Sequence, residues 1–171
     1  MIYVTMYLLA IVMANLSVAW FGPSASIANA FLFIGFDLTA RDKLHDGWRN
    51  RGLVWKMAAL IVTGAALTVL LNRNAGQIAV ASTVAFAVAA IVDAVVYHKT
   101  GNINVSNVFS AAADSLLFPW IAFGGIMPWV TLGQWVSKVF GGIVWAWIIQ
   151  KMSKLSLIVK QGKLELGETE Q

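Results

Sequence analysis

The 171-residue chain is predicted to be an all-α integral membrane protein, a bundle of six transmembrane helices. Three observations predict it. Hydrophobic residues make up 59% of the chain and charged residues only 12%, against about 25% charged in a soluble domain. The mean hydropathy is +0.74. The apolar residues also fall into six segments separated by short polar stretches, most of them near the ~20 residues a helix needs to cross a hydrocarbon core about 30 Å thick.

The first segment runs from about Ile2 to Phe21 and ends at Gly22-Pro23. It lacks the basic start and small-residue cleavage site of a signal peptide, so it reads as a retained helix. The second, from about Ala25 to Ala40, is shorter, and its polar end is expected to stay helical at the membrane edge. The third covers Leu53 to Leu71, with Lys56 near one end, where its stem can snorkel. The fourth covers Ile78 to Tyr97 and the fifth Val105 to about Ile126. The sixth covers Val130 to Ile149, with an amphipathic extension to Val159. Residues 1–159 are therefore the transmembrane domain, and residues 160–171 a flexible, polar cytoplasmic tail.

Loop charges set the orientation. Arg41, Lys43, Arg49 and Arg51 fill the second loop, Lys99 the fourth, and Lys151, Lys154, Lys160 and Lys163 the C-terminal region. The first and fifth loops carry no Lys or Arg, and the third only Arg73. The basic side is cytoplasmic, which puts both termini inside the inner membrane. The same placement explains the net charge of +4 without nucleic acid. With no cysteine and only His45 and His98, both in loop contexts, thiolate metal sites are excluded, and no metal or cofactor is expected. The eight tryptophans mostly mark interfaces, with Trp20, Trp55, Trp129 and Trp135 fitting an aromatic belt. Gly141-Gly142 reads as close helix contact rather than a phosphate site.

Four ionisable groups lie inside the apolar segments: Asp37, Asp93, Asp114 and Lys138. Each costs about 2.5–3.5 kcal/mol at a helix centre, so four unpaired, central charges would oppose insertion by roughly 10–14 kcal/mol. At 1.5 Å per residue, Asp37 lies about 18 Å from the outer edge, Lys138 about 12 Å from it, and Asp114 about 13 Å from the inner edge. Asp114 and Lys138 thus differ in depth by about 5 Å, and Asp93 lies lower, near the inner surface. Faces agree with depth. Asn107, Ser110 and Asp114 share one stripe; Gln134 and Lys138 are four apart; Asn29, Phe33 and Asp37 are spaced by four; Asn15 is the strongly polar group of the first segment. Asn15, Phe33, Asp37, Asp93, Asn107, Ser110, Asp114 and Lys138 are the candidate substrate-binding residues, converging on a midplane pocket. Each has a plainer reading: a structural Asp114–Lys138 ion pair, an interfacial Asp37 or Asp93, and interhelical hydrogen bonds from Asn15, Asn107 and Ser110.

Signatures of an enzyme are absent: there is no nucleophile elbow, zinc-ligand pair or phosphate loop. The run Phe36-Asp37-Leu38-Thr39-Ala40-Arg41 resembles the Asp-Leu-Thr signature of the queuosine precursor transporter (VUT) family. Phe109-Ser110, with Asp114-Ser115-Leu116 after three alanines, resembles that family's fifth-helix motif. Asp93 matches its fourth-helix acid and Lys138 a sixth-helix lysine, the likeness running from about Asn15 to Trp147. Departures are short loops, and Ala112 where a polar residue is expected. The resemblance implies a six-helix bundle similar to the substrate-binding components of energy-coupling-factor vitamin importers, and uptake of a 7-deazaguanine, preQ0 or preQ1. Alternative readings are a substrate-capture subunit with a separate ATPase as partner, and a structural or pore-forming protein whose ion pairs serve packing alone.

Overall fold

The computed structural model describes residues 2–33 and 52–165. Among them every regular element is a helix: α1 (Ile2–Phe21), α2 (residues 25–33), α3 (Leu53–Leu71), α4 (Gly76–Thr100), α5 (Ile103–Phe123) and α6 (Pro128–Glu165), with a 3₁₀ turn at Arg73–Ala75. Helices satisfy their own backbone groups, which suits an environment without water. Among the described residues, Tyr3–Phe21 and Arg73–Thr100 are long and apolar enough to cross a membrane, and Trp55–Leu71 is a shorter apolar helix. The helices α5 and α6 are less apolar because they carry Asn107, Ser110, Asp114, Gln134 and Lys138.

Local chemistry sets the boundaries. Gly22, at φ 79°, closes α1, its N–H reaching Val18 O at 2.9 Å, and Pro23 bars continuation. Asn102 caps α5, its side chain accepting from the N–H groups of Asn104 (2.9 Å) and Val105 (3.3 Å). The fifth helix ends at Phe123, not near Ile126, because Gly124 and Gly125 follow it. Pro128 opens α6 at a position where its missing N–H loses nothing. With no proline after it, α6 continues to Glu165, beyond Val159 and into the segment expected to be tail.

The helices close a ring. Successive packing joins α1 to α3, α3 to α4, α4 to α5 and α5 to α6. Hydrogen bonds from α2 complete it. On one side Asn29 Nδ2 donates to Ala14 O (3.0 Å) and Ser17 Oγ (2.7 Å) of α1. On the other, Gln134 Nε2 of α6 donates to Ser26 Oγ at 2.7 Å, and Trp145 Nε1 to Phe31 O at 3.1 Å. Among the described residues the buried core has three parts: Tyr7 of α1 and Leu60 of α3 pack together nearer the start of α1, and two further clusters lie at the end holding the connections 22–24, 72–75 and 124–127. There Val18, Ile78, Ala81, Ala85, Phe118 and Ala122 form one cluster, and Val12, Leu16 and Ala75 another beside it.

Close approach of α1 and α3 requires Gly64. A Cβ there would meet Ile11 Cγ2 at 2.8 Å and Ile11 Cβ at 3.2 Å. Gly142 has no such role, since a Cβ on it meets nothing within 4 Å; the expected close contact is not made there. Gly64→Ala is therefore expected to destabilise the protein by about 1–3 kcal/mol, and Gly142→Ala to be neutral or to stabilise it by up to about 1 kcal/mol. Thermal unfolding in detergent checks both; equal midpoints for the two variants would remove the packing argument.

Candidate functional site

One interior ion pair stands out. Lys138 Nζ of α6 donates to Asp114 Oδ2 of α5, and at 3.2 Å to Ser115 Oγ. The two charged side chains are 16% and 15% exposed, and Ser115 is fully buried. An ammonium has three hydrogens and a carboxylate two oxygens. One hydrogen of Lys138 and Asp114 Oδ1 thus remain without a partner among the described residues. The site presents an adjacent donor and acceptor in a low-dielectric setting, where an added hydrogen bond is strong. Four residues along α5, the buried Pro119 has no N–H to give the Ser115 carbonyl, which loses its usual helical partner.

Depth follows from α6 itself. Trp129 and Trp147 are 69% and 60% exposed, and their separation of eighteen residues corresponds to about 27 Å of helix, close to the hydrocarbon thickness of about 30 Å. Lys138 is nine residues from each. One turn past Trp147, Lys151 Nζ sits 5.0 Å over its ring, a cation–π contact at the polar boundary. The ion pair therefore lies midway along α6 between two exposed tryptophans.

The other sequence candidates divide. Asn107 and Ser110 lie on the Asp114 stripe, but Asn107 is exposed and Ser110 Oγ donates back to Asn107 O at 3.1 Å. Asn15 is buried and tied to another helix, donating to Thr68 Oγ1 at 3.3 Å, which in turn donates to Gly64 O at 2.8 Å. Asp93, on α4, accepts from Ser106 Oγ of α5, whose hydroxyl also lies 3.0 Å from Asp93 O. This pair fastens α4 to α5 one bundle level away from Lys138. Phe33 is half-buried at the end of the described part of α2, one turn beyond Asn29. Asp37 and His45 lie outside the described residues. The structure brings Asp114 and Lys138 together, leaves Ser110 and Asn107 on the same stripe of α5, and gives Asn15 and Asp93 partners elsewhere, Thr68 and Ser106.

Several functional contacts had only weak signals in the chain. Ser115 follows Asp114 directly, yet nothing in the stripe marked it as the second partner of Lys138. Gln134 shares the Lys138 face, but its partner Ser26 is 108 positions away in sequence. Trp135 is not a belt residue: it is half-buried and its Nε1 donates to Val108 O at 3.2 Å, tying α6 to α5. Two shallow apolar depressions flank these helices. One of about 300 Å³ is lined by Asn104, Val105, Val108 and Phe109; the other, of about 320 Å³, lies between α3 and α4.

Among known proteins, the family described as "Putative vitamin uptake transporter" matches residues 1–152. No curated protein and no solved structure matches the chain.

Removing one partner of a buried ion pair leaves the other charge uncompensated, at a cost of about 3–5 kcal/mol. Asp114→Asn and Lys138→Met are each expected to lose about that much stability. The double variant is expected to recover most of it, since no charge is then stranded. A double-mutant cycle of unfolding in detergent measures the coupling; additive losses would show that the pair is not a unit.

Proposed function

Because the chain belongs to the vitamin uptake transporter family, we propose that it is a six-span importer of a queuosine precursor, a 7-deazaguanine such as preQ0 or preQ1. As a membrane transporter it takes a small-molecule solute and sits in a lipid bilayer, and a transporter role fits a chain with no catalytic signature. The finer reading rests on the site. Its carrying observation is the interior Lys138–Asp114 pair, with one carboxylate oxygen and one ammonium hydrogen still unsatisfied.

A guanine-like edge displays N–H donors beside a carbonyl acceptor. Asp114 Oδ1 is suited to accept from the donors, and Lys138 to donate to the carbonyl while offsetting the carboxylate charge. A planar solute also needs a flat apolar neighbour; the candidates are Phe33 and Trp145, on the two helices joined by the Trp145–Phe31 hydrogen bond, and Phe109, five residues before Asp114 on α5. Asn107 and Ser110 would line the route to the pair. Asp37, at nearly the depth of Asp114 by helical rise, is proposed as a second carboxylate for the purine edge, and Asp93 as a polar contact toward the cytoplasmic side. The bias of Lys and Arg among the loops supports a reading in which that side and both termini are cytoplasmic and the membrane is the inner one.

Uptake of labelled preQ0 and preQ1 into cells lacking their own supply tests the proposal. Asp114→Asn and Lys138→Ala are each expected to lower initial uptake at least tenfold, the loss of one charge-assisted hydrogen bond of about 1.5–3 kcal/mol. Binding to purified protein, followed by thermal shift against preQ0, preQ1, queuine, guanine and vitamins, is expected to favour the 7-deazaguanines. Stabilisation by an unrelated vitamin, with none by a deazapurine, would overturn the solute assignment.

A further inference from the structure

The connections 22–24, 72–75 and 124–127 share one end of the bundle, and Arg73 is the single Lys or Arg among them. It is exposed, and its guanidinium has no partner among the described residues. The 3₁₀ turn that carries it is fixed. Asn72 N–H reaches Thr68 O at 2.9 Å, Asn72 Oδ1 accepts from Asn74 N–H at 3.0 Å, and Ala75 N–H reaches Asn72 O at 3.0 Å. Ala75 itself is fully buried. Arg73 also begins the stretch Arg73–Thr100 that is long and apolar enough to cross a membrane. It therefore stands where hydrocarbon gives way to headgroups.

Beside this turn lies the depression of about 320 Å³ between α3 and α4. Val62, Ala65, Ala66 and Val69 line it from α3 at i, i+3, i+4 and i+7, and Ala79 and Thr83 line it from α4. Val69 is one turn before Arg73, and a Cβ on Gly76 would meet Val69 Cγ2 at 3.9 Å, so the two helices are in contact just under the turn. Small side chains make the floor, with Ala79 1% exposed. The one hydroxyl in the lining, of Thr83, donates back to Ala79 O at 2.9 Å. It offers no hydrogen to an occupant, which suits hydrocarbon. From Val62 to the end of α3 at Leu71 is nine residues, or about 13.5 Å, against about 15 Å for half of a hydrocarbon core. The depression thus keeps to one leaflet and ends near the bilayer centre, as an acyl chain does.

We propose that this groove binds one anionic phospholipid of the leaflet at the Arg73 end, with an acyl chain between α3 and α4 and the headgroup phosphate on Arg73. A guanidinium presents a fork of N–H donors that matches phosphate geometry. Phosphate is the anion that every phospholipid carries at that level, directly above its own chains. The spacing of charge over groove therefore fits a single lipid molecule. The inference goes beyond the transport reading and does not depend on the solute.

Purified, delipidated protein in detergent is mixed with phosphatidylglycerol or with phosphatidylcholine of the same chains. Native mass spectrometry counts the bound lipid, and thermal unfolding is followed in parallel. The wild type is expected to retain one phosphatidylglycerol about fivefold better than phosphatidylcholine, the factor that corresponds to one basic residue beside anionic lipid, and to unfold at a higher temperature with it bound. Arg73→Gln is expected to remove the preference and to leave the unfolding temperature of the lipid-free protein unchanged. Ala66→Leu, at an exposed position, is expected to fill the groove and lower retention of both lipids. Lys99→Gln, exposed at the opposite end of α4, is expected to keep the wild-type preference. Equal retention of the two lipids by the wild type, a preference that survives Arg73→Gln, unchanged retention in Ala66→Leu, or an equal loss in Lys99→Gln would each overturn the proposal. So would a lipid-free dimer that Ala66→Leu breaks, which assigns the groove to a second copy of the chain.

Discussion

The structure depends first on keeping Lys138 and Asp114 together. Either charge alone in the interior is severely penalised, so α5 and α6 cannot slide or rotate past one another without separating them. This single constraint sets both depth and rotation for two helices. The Trp135–Val108 hydrogen bond repeats the constraint two turns away along α5. Ser106 and Asp93 then carry the register from α5 to α4. Asn102 starts α5 at a fixed point, which sets where Asp114 falls along its length.

The remaining seams obey a different rule. Lipid is as apolar as leucine, so burial of side chains between helices supplies little driving force in a bilayer. Close packing and hydrogen bonds must supply it. Gly64 lets α1 and α3 approach, and Asn15 with Thr68 locks the place where they do. The described part of α2 is held on both flanks by polar ties, from Asn29 on one side and to Gln134 and Trp145 on the other. Ser26, Asn29 and the Phe31 carbonyl, all within residues 25–33, make these ties.

Much of this was legible in the chain because it is local. Helical rise is constant, so counting residues from the segment ends brought Asp114 and Lys138 to nearly one level, where they are found paired. The same periodicity placed Asn107 and Ser110 on the Asp114 face. Partner identity was less legible. Asn15 has the same sequence character as a ligand contact, and only the neighbouring α3 decides that Thr68 takes its amide. Trp135 was grouped with the belt tryptophans, but the six residues between it and Trp129 turn the helix by about 600°, and it packs on α5 with its Nε1 donating to Val108 O. Helix ends were misjudged where apolar residues continued past a backbone signal. Gly124 stopped α5 before Ile126, and α6 ran on for want of any such signal.

The interior pair has an electrical consequence. Wherever its proton sits, on the amine or on the carboxylate, Asp114 and Lys138 together carry no net charge. A charge moved through a membrane potential gains or loses about 2.3 kcal/mol per 100 mV; a neutral pair moved as a unit gains nothing. The empty carrier can therefore exchange between its two faces with the voltage contributing no bias from this site. The membrane potential then acts only on whatever the solute itself carries. A neutral solute and a cationic solute of the same shape would then accumulate to different extents.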